Sequence, residues 1–297
     1  MRRRGNYRFL GKFTYYVPGV GGMFALLAWL LVGAFIGGIL TIVIGAALGP
    51  DAIQEYGTLI SYPVMFIPPM LYASSKSSTN SINQSGLKLD SSHFAPLGAA
   101  ICVALAIVGV LSMGFWTDGI VALLPEMPEA LKEALEGLTT GNFWINFLTV
   151  SIFAPICEEW LCRGMVLRGL LRKTRMAPVW AIVISAVFFA LIHMNPWQAI
   201  PAFLLGCLFG YVYYLTGSLK LTMLMHFVNN TFALICGHID ALKDMESWAD
   251  VMPAKNYVVL ASACFLLSVL VFLAYRKIAP QRPDGSCDEV PSLFEAE

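Results

Sequence analysis

APICEEWLCRG, residues 154–164, places Glu158, Glu159 and Arg163 inside an apolar run that extends over about residues 143–167. Further basic residues come only at Arg168, Arg172, Lys173 and Arg175, so the three charges fall within a segment of membrane-spanning length. Facing lipid, each would cost ~2.5–3.5 kcal/mol, and the three together about 8–10 kcal/mol. They must therefore face a protein interior or a water-filled cavity. Helical spacing sorts them. Glu159 and Arg163 are four residues apart, share a face and can pair. Glu158 is rotated by about 100° from Glu159, which leaves it outside that pair as a candidate general base.

The rest of the chain agrees with a membrane setting. Of its 297 residues, 58% are hydrophobic and 13% charged, against about 25% charged in soluble domains. Eight apolar runs approach spanning length, at about 22–48, 57–73, 96–116, 143–167, 178–194, 197–216, 219–237 and 257–275. The second is short and holds Pro68 and Pro69, so a kink or an incomplete crossing is expected there. The fold class is thus an all-α membrane protein, with about eight transmembrane helices and a polar intramembrane cavity. Its parts are a basic N-terminal arm (1–21), a transmembrane domain (22–277) and an acidic, Pro-rich, disordered tail (278–297).

Charge distribution orients the chain. With the arm in the cytoplasm, eight spans return the C-terminus there as well. Of the 19 Lys and Arg residues, 15 then lie on the cytoplasmic side, three lie outside, and Arg163 is in the membrane. This asymmetry follows the positive-inside rule. A multi-pass integral membrane protein with both termini cytoplasmic is expected. The first span is too long for a signal-peptide core and is expected to be retained. Basic residues placed by topology, in a chain of zero net charge, imply no nucleic-acid partner.

Two connecting segments carry their own expectations. SSKSSTNSINQSGLKLDSSH (74–93) is Ser/Asn-rich and reads as a weakly ordered cytoplasmic loop. PEMPEALKEALEGL (125–138) reads as a short amphipathic helix at the outer surface. GCLFG (206–210) is a small-xxx-small element suited to close helix contact within the bundle. Six of the seven cysteines fall in predicted spans, with no disulfide framework or zinc ribbon. The last four residues, FEAE, form no prenylation box, so the chain is not expected to be prenylated itself.

Two more spans carry polar residues. FFALIHMN (188–195) puts Phe189 and His193 on one face, and HFVNN (226–230) does the same for His226 and Asn230. Singly, such residues are commonly packing groups or interhelical glue. Together, a glutamate, two histidines and an asparagine can activate a water and stabilise an oxyanion. They also nearly match a two-His, one-carboxylate zinc site with an open position. Counted from the basic end, His226 lies about seven residues into its span and His193 about fifteen. At 1.5 Å per residue that is a depth difference of about 12 Å. A common site then needs the fifth helix to tilt or to start outside the bilayer, as Pro178 in MAPVW (176–180) allows.

Glu158-Glu159-x-x-x-Arg163, Phe189-x-x-x-His193 and His226-x-x-x-Asn230 follow the pattern EExxxR, FxxxH, HxxxN. In this the chain resembles the CPBP intramembrane proteases (CAAX protease and bacteriocin-processing, or Abi), which include the type II CAAX prenyl endopeptidases. The resemblance covers about residues 145–235. It implies a polar cavity entered from the cytoplasm or laterally from the bilayer, and peptide-bond hydrolysis without a covalent intermediate. Carried over, Glu158 is the general base and helps His193 hold the attacking water. His226 and Asn230 polarise the scissile carbonyl, and Glu159, Arg163 and Phe189 support the site. The family has been described both as metalloproteases and as glutamate-dependent proteases. For a metal, the donors on offer are Glu158 or Glu159 with His193 and His226, and zinc is the ion implied. The expected substrate is a membrane-associated or lipidated peptide. Two other readings use the same residues: a proton-coupled transporter or channel, and a catalytically silent scaffold.

Overall fold

A computed structural model describes residues 9–84, 86–129, 131–132, 142–173, 176–242, 245 and 247–279. Among the described residues there are eight long helices and no strand. They correspond to the eight apolar runs: α1 (Val20–Leu48), α2 (Pro50–Asn80), α3 (Ala99–Val121), α4 (Phe143–Lys173), α5 (Pro178–Leu191), α6 (Pro196–Thr216), α7 (Leu219–Gly237) and α8 (Ala254–Tyr275). Six are long and apolar enough to cross a membrane. α2 is not, because polar residues occupy both ends, Asp51 to Glu55 at one and SSKSSTN (74–80) at the other. α5, at 14 residues, rises about 21 Å, less than the ~30 Å hydrocarbon core.

Small residues set the closest helix contacts. Gly49 (φ 95°) lets the chain reverse directly from α1 into Pro50 at the start of α2. A Cβ on Gly33 would lie 2.1 Å from the Met65 carbonyl oxygen, and one on Gly37 2.8 Å from that of Ser61. α1 and α2 therefore pack antiparallel at backbone distance. Gly206 and Gly210, the ends of GCLFG, meet Ala186 and Ile182 of α5 in the same way, so this element serves a contact within the bundle. α4 and α6 are central, with 61% and 67% of their most apolar windows buried. α1 and α8, at 17% and 11%, present their remaining faces outward.

The second span, as expected, is not among the helices apolar enough to cross, but its prolines do not interrupt it. α2 runs unbroken for 31 residues through Pro63, Pro68 and Pro69. The segment after it is also more ordered than its Ser/Asn content suggested. Leu87 N–H donates to Thr14 O (2.9 Å), Ser91 N–H to Gly217 O (2.8 Å) and His93 N–H to Thr216 O (3.0 Å). Leu87 and Leu89 are buried, and Asp90 pairs with Lys220 at 3.1 Å. Two leucines in alternation supply the apolar anchors that the polar residues around them lack. The expected helix at 125–138 and the tail beyond residue 279 lie largely or wholly outside the described residues.

These contacts define a basic end of the molecule, formed by residues 9–19, 81–84, 86–98, 176–178 and 214–220. Tyr275, near the end of α8, bonds to Cys102 O at 2.6 Å, so both ends of the described chain lie there. At the distal end, Asp118 of α3 accepts from Ser247 Oγ (2.7 Å), Trp248 N (3.1 Å) and Tyr257 Oη (3.2 Å). Trp197 Nε1 donates there to Pro125 O at 2.9 Å.

Candidate active site

α4 carries the glutamates on an altered helix. It is continuous, but over Phe147–Phe153 and Trp160–Leu167 it is wound wide as π-helix. Between these stretches lies the α-helical Ala154–Glu159. Pro155 lacks an N–H and its ring crowds the carbonyl four residues earlier. A wide turn just before it relieves both, and such turns are frequent at functional sites. Glu158, Glu159 and Arg163 are all buried.

Glu159 and Arg163 form the pair their spacing implied, at 2.7 Å and fully buried. Arg163 also donates to Gly206 O of α6 at 3.0 Å. Its guanidinium lies 4.5 Å from the centroid of Phe189 and 5.2 Å from that of Phe209, which ties α4 to α5 and α6. Glu159 Oε1 is in addition 3.2 Å from His226 Nδ1 of α7. This bond puts a proton on Nδ1 and directs Nε2 away from Glu159. Nε2 lies 3.9 Å from Glu158 Oε2. Glu159 thus holds one edge of the imidazole, and Glu158 faces the other.

Glu158 Oε1 accepts from the Tyr62 hydroxyl of α2, while its buried Oε2 has no hydrogen-bond partner. Tyr62 was not singled out in the sequence, where α2 carries no motif. The available signal was a hydroxyl in the apolar stretch SYPVMFIPP (61–69), which requires a partner when buried.

His193 lies just beyond α5 in the turn to α6. Met194 takes a left-handed φ of 54°, Asn195 caps α6 by accepting from Gln198 N at 2.8 Å, and Pro196 opens the helix. His193 Nδ1 bonds to Phe189 O at 2.8 Å, which leaves Nε2 free to face the cavity. The depth offset between the histidines is bridged by Phe189. Its ring is 5.1 Å from the His193 centroid and 5.4 Å from that of His226, edge-on to both. Asn230, one turn beyond His226, donates to Val150 O of the first π-helical stretch at 2.8 Å and accepts from Asn229 at 3.1 Å. One amide N–H remains for another acceptor.

Glu158, His193, His226 and Asn230 all line one cavity of about 1170 Å³. Its walls are mostly apolar, from α1, α2, α5 and α6, with a few convergent polar groups at its deep end, the usual pattern of a ligand site. Glu126, Met194 and Asp250 at its rim are exposed and belong to the distal end.

The residues offered for a metal do not converge as a ligand set. Glu159 is committed to Arg163 and to His226 Nδ1, Glu158 Oε2 and His226 Nε2 lie 3.9 Å apart, and His193 is held to Phe189 O through Nδ1. Among the described residues, no group of three or more His, Cys, Asp or Glu is arranged to hold a metal ion.

Residues 140–232 match the family model described as Rce1-like, type II CAAX prenyl endopeptidase. The match takes in all three motifs, and the family resemblance read from them is borne out over this segment. It supports a membrane protease of the CAAX type in general terms. Comparison with curated proteins and with solved structures found no match.

Proposed function

We propose that the protein is an intramembrane endopeptidase in which Glu158 activates a water for direct attack on a peptide carbonyl. The observation that carries this reading is the placement of Glu158 Oε2 3.9 Å from His226 Nε2 at the closed end of a peptide-sized cavity. One water oxygen can bridge that spacing with two ordinary hydrogen bonds. Attack forms the C–O bond as Glu158 takes the water proton. The free Asn230 N–H is the donor toward the developing oxyanion, and His193, whose Nδ1–H is held by Phe189 O, turns the lone pair of Nε2 to the cavity as an acceptor for the attacking water. Collapse breaks the C–N bond, and the proton held by Glu158 passes to the leaving amine. Glu159 keeps His226 oriented throughout.

Transport is the rival use of the same residues and needs a polar path through the protein. Among the described residues, the close packing between the site and the basic end, with Trp160 against Phe13 and Arg168 bonded to backbone carbonyls, favours hydrolysis. The test is cleavage of a fluorogenic peptide by purified protein in detergent. Glu158→Gln is expected to lower kcat by about 10²–10⁴-fold with the melting temperature retained. Normal turnover by that variant would overturn the assignment of the base. A flux driven by a pH gradient, lost in the same variant without any cleavage by the parent protein, would favour the transporter.

A further inference from the structure

The two faces of the molecule differ in how they treat the site. Glu158 is near the middle of α4, about 20 Å from either end at 1.5 Å per residue or slightly less, so depth alone does not select a face of entry. Packing does. The cavity is lined by α1, α2, α4, α5, α6 and α7, and then by distal-end residues 121, 122, 124–127, 194, 197, 198, 245, 247 and 250. Among the described residues, none from 9–19, 81–98, 168–178 or 214–220 lines it.

The basic end is instead closed by a plug. Two residues after Glu158, the fully buried Trp160 packs against Phe13 of the N-terminal arm, with centroids 5.1 Å apart. Leu89 and Leu219 close on Gly164 from two other segments, where an added Cβ would meet them at 3.4 and 3.5 Å. Below them the buried Arg168 donates to Gly164 O (2.7 Å), Leu87 O (2.7 Å) and Tyr16 O (2.6 Å). One guanidinium thus binds the arm, the α2–α3 connection and α4 together. At Gly169 the Pro18 carbonyl approaches so closely that a Cβ would lie 2.2 Å from it. This end also carries Lys12, Lys88, Arg172, Lys173 and Lys220, and such a bias marks the cytoplasmic face.

We infer that the site is reached from the extracytoplasmic face, and that its substrate is an extracytoplasmic segment of a polypeptide rather than a cytosolic lipidated C-terminus. The substrate class rests on the hydrolytic reading above; the face of entry does not. A cytosolic chain end would meet the Phe13–Trp160–Arg168 plug, whereas among the described residues the mouth of the cavity is left uncovered on the opposite face, with the exposed Glu126 and Asp250 at its rim.

The experiment uses full-length protein in sealed right-side-out and inverted vesicles from expressing cells. Ala233→Cys, on the cavity wall, and Lys12→Cys, on the arm, are treated with a membrane-impermeant maleimide, and the modified sites are identified by peptide mass spectrometry. A charged fluorogenic peptide is offered to the same vesicles carrying parent protein. The inference expects labelling at position 233 and peptide cleavage in right-side-out vesicles, with labelling at position 12 confined to inverted ones. Labelling at 233 or cleavage confined to inverted vesicles overturns it. If the detergent-solubilised protein also leaves the peptide intact, the substrate class falls with the hydrolytic reading, and the labelling still decides the face of entry.

Discussion

Glu159 Oε1 lies 3.2 Å from His226 Nδ1, so the second glutamate of the motif holds the imidazole that the first one faces. Its pairing with Arg163 is then only part of its function. Glu159→Gln keeps the side-chain volume but no longer offers a charged acceptor to Nδ1–H. Turnover is expected to fall by about 10²-fold with KM little changed. Breaking a buried pair also leaves Arg163 uncompensated, at a cost of about 3–5 kcal/mol. Measuring kcat, KM and melting temperature together separates the two effects. Unaltered kcat in a destabilised variant would reduce Glu159 to a structural role.

Tyr62 holds one oxygen of Glu158 and leaves the other toward His226. A hydrogen bond to a charged group contributes about 1.5–3 kcal/mol, so Tyr62→Phe is expected to lower kcat by about 10- to 100-fold while KM stays near the parent value. Combining it with Glu158→Gln should produce no further loss, since the two changes remove one interaction. Full additivity in that double variant would show that Tyr62 acts elsewhere.

The donor set bears on metal content. With Glu159 engaged by Arg163 and His226, no three donors among the described residues are arranged to hold a metal ion, and the purified protein is expected to hold zinc at well below one ion per chain by elemental analysis. Cleavage should survive dialysis against a chelator. One zinc per chain, lost in His193→Ala, would require a ligand arrangement different from the one described.

Arg168 is buried and satisfies four backbone carbonyls, those of Gly164, Leu87, Phe13 and Tyr16. Arg168→Met leaves these acceptors without a donor, each at about 1–3 kcal/mol before relaxation. A loss of several kcal/mol in stability is expected, read as a lower melting temperature in detergent. Arg168→Lys keeps the charge but not the planar fork, and should fall between the two. Parent-like melting of Arg168→Met would show that the plug does not depend on this residue.

Much of the architecture was legible because membrane insertion is governed by local properties. Hydropathy located all eight helices, and four-residue spacing located the Glu159–Arg163 pair and the shared faces of Phe189 with His193 and of His226 with Asn230. The 74–93 connection was misread, since its composition is polar and its order depends on two leucines finding partners on other segments. Arg168 was read as one more topological charge, although its guanidinium is buried among backbone carbonyls.

By itself the sequence determined which residues are too polar for lipid and must turn inward, and a helical period says which face of a helix they occupy. Only the tertiary structure decided what each of them meets. Tyr62 and Glu158 are 96 residues apart in the chain, and Glu159 and His226 are 67 apart; no periodicity relates such pairs. The open face was decided in the same way. A cavity at mid-membrane can be entered from whichever end the connecting segments leave unfilled, and that depends on how Phe13, Leu89 and Arg168 pack, not on where they fall in the chain.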